Sequence, residues 1–164
     1  MFKKIAAAAT VSAMLMATGA QAASFSSGTS ADVARVLQAD GITARTDVDG
    51  NKPYVAATLK DGTKFIVEFY HCDSGKANCD IAIWTANWTE TVSADQLNRW
   101  NRWTFVCPIY GAADGKSTSV WMGVMTAPSD NADTVELRAR AFTKCLDQFQ
   151  DFLRDPEGFL KDNE

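Results

Sequence analysis

The segment ITARTDVDGNKPYVAATLKDGTKFIVEFYHC, residues 42–72, decides the fold. Asp49-Gly50 and Asp61-Gly62 are hairpin signals, because glycine adopts the positive φ that a tight turn demands. They divide the segment into runs of strand length at 42–48, 53–59 and 63–72, the last being the most apolar. A fourth run, 79–88, follows the polar stretch 73–78. Parallel neighbours need a crossover of a dozen residues or more, so turns this short predict a four-stranded antiparallel meander.

Helices are read on either side of the meander. Ser30 reads as the cap of a helix over 31–40, whose Val33, Val36 and Leu37 form an i, i+3, i+4 stripe ending at Gly41. Downstream, Ser93 and Gln96 form a capping-box pattern that opens a helix over about 94–103. It carries Leu97 and Trp100 inward, with Trp103 as a third candidate. A strand at 104–110, a turn at Asp114-Gly115 and a strand at 117–126 follow, and Pro128 ends the sheet. Asp130 or Asn131 caps a final helix to about residue 154, with Val135, Ala139, Phe142, Leu146, Phe149 and Leu153 on one face. Pro156 ends it, leaving 155–164 as a loose, charged C-terminal tail. The order α-β-β-β-β-α-β-β-α predicts an α+β fold, an antiparallel sheet with helices packed on it.

The sheet carries a surplus of apolar residues. In 79–88, Ile81 and Ile83 point one way while Ala82, Trp84, Ala86 and Trp88 point the other. In 117–126, Val120, Met122 and Val124 oppose Trp121 and Met125. A sheet with one solvated face alternates apolar with polar. Here either helices cover both faces, or one face awaits a partner subunit or ligand.

Residues 1–22 combine Lys3 and Lys4, the apolar run 5–16 and the small-x-small end Ala20-Gln21-Ala22. That is the pattern of a cleaved secretory signal peptide, and the run is shorter than the roughly 20 residues a spanning helix needs. Position 23 is Ala, so no cysteine offers itself for lipid attachment just after the cut. Cleavage after Ala22 leaves 142 residues and, by removing two lysines, shifts the net charge from −4 to −6. Residues 23–29 read as a flexible leader, and 30–154 as a single domain. The expected location is the periplasm, with no membrane attachment after cleavage. An acidic chain with no basic cluster excludes nucleic acid as a natural partner.

Export changes how the four cysteines read, since an even number in an oxidising compartment predicts disulfides. Cys72 and Cys79 bracket the polar stretch and would close a hairpin tip, leaving Cys107 to pair with Cys145. The longer loop should stabilise more, about 3–4 kcal/mol in the chain-entropy model. A metal or redox site is the competing reading, with His71 adjacent to Cys72. Six intervening residues do not match C-x-x-C spacing, however, and no second pair completes a metal site.

Catalytic patterns are scarce. His71 is the one histidine, at the end of an apolar strand, and no G-x-S-x-G, phosphate-cradling glycine loop or H-E-x-x-H occurs. Asp47-Val48-Asp49-Gly50-Asn51 places its glycine at the fourth position where a calcium loop needs the sixth, so a hairpin turn accounts for it. No catalytic residue, cofactor or metal is expected. Among the five tryptophans, Trp84 or Trp100 is expected in the core. Trp84, Trp88, Trp103 and Trp121 are the candidates for a binding surface, as interfaces concentrate tryptophan and arginine.

The segment Leu97-Asn98-Arg99-Trp100-Asn101-Arg102 resembles the N-x-W-N signature of the YbjN family of bacterial sensory-transduction regulators, carried by Asn98, Trp100 and Asn101. The first helix with Val36-Leu37 and Gly41, the Asp49-Gly50 turn, the Phe65–Tyr70 strand, the Cys72…Cys79 loop and an aromatic-rich last helix follow the same order, over roughly 30–154. The resemblance implies a fold similar to type III secretion chaperones, small α+β domains that often dimerise and bind segments of other proteins, and it implies no reaction. An export signal and disulfides depart from a cytoplasmic chaperone. The expectation is a non-enzymatic, chaperone-like binding or regulatory domain in the periplasm, with a protein or peptide partner or a second copy in a homodimer. The alternatives are an envelope enzyme or enzyme inhibitor working through the His71-Cys72-Cys79 loop, and a thiol redox protein.

Overall fold

A computed structural model describes residues 25–75, 77–104, 106–112 and 115–163. The signal pattern at 1–22 lies outside them, as do residues 23 and 24 of the leader and Asp114 of the third hairpin turn.

The order of elements is α1 (Ser30–Ala39), β1 (Thr43–Asp49), β2 (Lys52–Thr58), β3 (Lys64–Tyr70), β4 (Ile81–Trp88), α2 (Ala94–Trp103), β5 (Ile109–Gly111), β6 (Thr118–Met125), α3 (Ala132–Arg154) and α4 (Pro156–Asn163). The strands form one antiparallel sheet in the order β1-β2-β3-β4-β6-β5, so the meander and the α+β class hold. Gly50 and Gly62 turn the two aspartate–glycine hairpins at φ of 58° and 93°, a region other residues enter at a cost.

Strand alternation puts Ala44, Val55, Ala57, Phe65, Val67, Phe69, Ala82, Trp84, Ala86, Val120 and Met122 on one buried face. α1 lies against β1 and β2, and α3 against α1 and β6. α2 and α4 pack on each other, α2 touching β5 and α4 touching α3. Phe142 of α3 reaches the rings of Phe65 and Trp84, at centroid distances of 5.5 and 5.8 Å. A second aromatic cluster gathers around Trp100, whose ring meets Trp103, Phe149, Phe152 and Phe159 within 5.5 Å. No helix among the described residues is long and apolar enough to cross a membrane.

Six local expectations are corrected. The residues ahead of α1 are not a flexible leader from Phe25 onward: Ser26 N–H donates to Asp32 Oδ2 (2.9 Å), and Ser27, fully buried, donates to Asp130 Oδ2 (2.6 Å). The Cys79 N–H donates to the Gly28 carbonyl (3.0 Å), and a Cβ on Gly28 would collide with the Cys79 carbonyl. Serine and glycine read as flexible only while their partners, 50 and 100 residues away, are unknown. The cap of α1 shifts too, since Thr29 holds the N-cap position without a side-chain bond and Ser30 is already helical.

β4 begins at Ile81 rather than at residue 79; ahead of it the carbonyls of Cys79 and Asp80 accept from the Thr126 hydroxyl and N–H. The strand expected at 104–110 shortens to Ile109–Gly111: Pro108 has no N–H to give, and the Cys107 carbonyl is held by Trp100. The loose tail is instead α4. Pro156 sits in its first turn, Gly158 N–H donates to Asp155 Oδ1 (3.0 Å), and Leu160 is fully buried. Because α4 folds back over that side, Phe152 rather than Leu153 is the buried residue at the end of α3. At the start of α3 Asn131 is the cap, in a reciprocal box with Thr134, while Asp130 binds Ser27 and Arg138.

Ending the chain after Asp155 should expose the faces of Trp100 and Trp103 that Phe159 covers. The expected loss is about 3–5 kcal/mol with red-shifted tryptophan emission; an unchanged urea midpoint would contradict the packing of α4. A second prediction concerns acid. Burial pushes the Asp130 carboxyl up, but Ser27, Arg138 (2.8 Å) and the Ala127 N–H (3.1 Å) outweigh it and hold the group below its ordinary value of 3.8. A depressed native value means the contribution is complete above pH about 4 and is lost as pH falls through that value. The stability gap between wild type and Asp130→Asn should therefore narrow in acid, as followed by thermal melts across pH.

Candidate functional site

Asn98, Trp100 and Asn101 lie on α2, which packs against β5. The Ser93–Gln96 capping box starts α2, which delivers Trp100 into the core with no exposed surface. Its indole Nε1–H donates to the Cys107 carbonyl at 2.8 Å. Asn101 closes a two-point clamp on Ile109: its Nδ2–H donates to the Ile109 carbonyl (2.9 Å) and its Oδ1 accepts from the Ile109 N–H (2.8 Å). Asn98 is exposed. Trp100 and Asn101 thus satisfy backbone groups that the short β5 leaves outside the sheet ladder, and the Cys107–Cys145 disulfide ties the same segment to α3.

Both disulfides connect as expected, Cys72 to Cys79 and Cys107 to Cys145, and both fit an oxidising, extracytoplasmic setting. In the Cys72–Cys79 loop Asp73 accepts from the Ala77 N–H (2.9 Å) and the Asn78 side chain (3.1 Å). His71 and Asn78, each just before a half-cystine, take φ of 53°. The His71 ring is exposed and makes no hydrogen bond or ion pair among the described residues. Cys79 is buried, so the loop presents neither a free thiol nor an orienting partner for the imidazole.

The tryptophans divide. Trp84 does not belong to a surface: it is 1% exposed, stacked with Phe65 at 5.9 Å. Trp88 and Trp103 are half-buried, edge-on to Phe149 (4.9 Å) and Phe159 (5.2 Å). Trp121 alone stands out, at 41% exposure, its ring 5.3 Å from Tyr110. The reason is parity: Trp84 and Trp88 alternate onto the helix-covered face, while Trp121 alternates onto the other.

That other face is the candidate site. The strand registers align Ile81 with Met125, Ile83 with Gly123, and Thr85 with both Ile66 and Trp121. Tyr54, Ala56, Glu68 and Tyr70 extend it towards β1. Apart from the buried Thr85 these residues are half-buried or exposed, and Met125 is 66% exposed. At its margin Lys52 lies over the Tyr70 ring (4.9 Å), whose hydroxyl donates to Glu68 (3.2 Å). Burial, and then the Glu68 charge, push the Tyr70 hydroxyl pKa up, so it stays a proton donor at neutral pH. On β1, Asp47 is held below the usual carboxylate range first by the Val48 N–H (2.8 Å) and then by Tyr54.

Alternation groups Ile81 with Ile83 and Trp121 with Met125, and the β4–β6 register puts the two groups on one face; it does not single out Ile66, Tyr70 and Tyr110. The signal for the first two was available, since Ile66, Glu68 and Tyr70 share the parity opposite to Phe65, Val67 and Phe69. No three metal-ligating side chains converge among the described residues. Comparison with models of known protein families, with curated proteins and with solved structures finds no match.

The clamp leads to a prediction. Asn101→Ala removes two hydrogen bonds and leaves the Ile109 groups unpaired, at a cost of about 2–3 kcal/mol. Asn101→Asp should be as harmful, because a carboxylate cannot donate to the Ile109 carbonyl. Denaturant melts of the two variants check this; parity with wild type would remove the clamp from the account.

Proposed function

We propose that this chain is an exported, non-enzymatic binding or regulatory domain of the YbjN type, working in an oxidising compartment such as the periplasm through its open sheet face. The observation that carries the reading is the apolar face running through Ile66, Ile81, Ile83, Trp121 and Met125, with the four helices of the described residues packed on the opposite side. Such an exposed surface is the usual mark of a protein or ligand interaction site. Trp121 and Met125 have the side-chain types enriched at interfaces.

Three further observations support the same reading. The two disulfides suit a compartment in which thiols are oxidised, and the pattern at 1–22 suits a route there. The Trp100–Asn101 pair, which carries the resemblance to the YbjN family, holds backbone rather than pointing to solvent. A structural motif of this kind accords with a family to which no reaction is attached. The occupant of the face is a protein or peptide, a small ligand, or a second copy of the chain.

The test is site-specific photo-crosslinking of the full chain in the envelope of its host. A photoreactive residue at Ile83, in the middle of the open face, should give a defined adduct. The same residue at Leu137, 68% exposed on the helical side, should give none. An adduct of twice the chain mass identifies a second copy. Equal yields at both positions, or none at Ile83, would refute the proposal.

A further inference from the structure

One end of the open face is hollowed, and the hollow has a chemistry that the rest of the face lacks. Its volume is about 460 Å³, within the range of small-molecule sites. Ala56 and Ile66 line it as apolar residues, while Thr85 and Asn87 bring polar groups from β4. Arg45 from β1 and Lys64 from β3 line it too, and no carboxylate does.

Acidic residues outnumber basic ones 20 to 16, yet neither Arg45 nor Lys64 makes a side-chain hydrogen bond or ion pair among the described residues. Asp47, two residues beyond Arg45 on the same strand face, is bonded by the Val48 N–H and by Tyr54, and Arg45 acts on it through charge alone. Thr85 is 7% exposed and makes no side-chain hydrogen bond among the described residues. The Asn87 Oδ1 accepts from the Ser119 hydroxyl, which leaves its amide N–H groups as donors. Positive charge without a hydrogen-bonded partner and free donors therefore line a small apolar floor.

We infer that this hollow binds a small organic anion: a single carboxylate or sulfonate group held by Arg45 and Lys64, with a compact apolar body on Ala56 and Ile66. Arg45 offers a fork that matches a carboxylate, and Lys64 adds a point charge. A free divalent phosphate lacks the apolar body that the floor would bury. The inference rests on the open face being the binding surface and adds the class of its ligand.

The probes are a matched pair, anilinonaphthalene sulfonate and neutral phenylnaphthylamine, which share an aromatic body and differ in charge. Each is titrated by its own fluorescence into the full chain. The sulfonate should bind at least about tenfold more tightly than the neutral probe, as expected for charge-assisted hydrogen bonds. The double variant Arg45→Gln, Lys64→Gln should bring it down to the neutral probe's level while leaving the latter unchanged. Added salt should weaken the sulfonate alone. Ala56→Trp, which fills the floor, should abolish both.

If Ala56→Trp removes both probes but the charge variant changes nothing, the anion assignment is overturned and the open face stands as a binding surface. If both probes bind the Ala56→Trp variant as they bind wild type, they sit elsewhere, and the inference falls together with the reading of the face beneath it.

Discussion

Trp100 is the side chain on which the closed half of the molecule depends. Its indole N–H satisfies the Cys107 carbonyl, and its ring is the meeting point of α2, α3 and α4. An indole can do both because it couples a large apolar body to a single donor, which must find an acceptor when buried. The position of the segment before β5 follows from that bond, from the Asn101 clamp beside it and from the Cys107–Cys145 bridge to α3. Trp84 offers a contrast. It is equally buried, among Phe65 and Phe142, yet its Nε1 has no acceptor among the described residues, so it acts as bulk alone.

Concentrating aromatic mass on one side has a consequence for the other. α1, α3 and the cluster around Trp100 need the whole inner face of the sheet, and no further helix remains among the described residues to cover the outer one. The outer face nevertheless carries Ile66 and Tyr70 on β3, Ile81 and Ile83 on β4, and Trp121 and Met125 on β6, where a solvated face would be mostly polar. Leaving isoleucine, tryptophan and methionine there in contact with water forgoes stabilisation of about 25 cal/mol for each Å² that could have been buried. In a chain that satisfies nearly every buried polar group elsewhere, such an exception is where function is to be sought. Arg45 and Lys64 line one end of the same face, where no carboxylate does.

The local rules were strong where a residue's neighbours in sequence were also its neighbours in space. Gly50 and Gly62 turn the hairpins because a positive φ is a property of the residue itself, and the capping box of α2 closes over three residues. Disulfide pairing followed from proximity and elimination. The failures share one physical cause. Ser27, Gly28 and Leu160 look like loop and tail residues until Asp130, Cys79 and the Trp100 cluster come against them. The strand at 104–110 was cut short by a tryptophan and an asparagine on a helix, partners that strand propensity does not see.

Alternation by itself therefore determined that strands 79–88 and 117–126 carry apolar residues on both sides, and which residues of one strand share a side, because a strand's side chains alternate whatever surrounds them. It could not say whether helices cover both faces or one. That depends on where amphipathic helices come to rest, which is settled by competition among long-range contacts. The tertiary structure resolved it by packing the four helices of the described residues on the side of Trp84. The same packing made Trp84 core and left Trp121 open, and it brought Arg45 and Lys64, from strands that are not neighbours in the sheet, to one hollow.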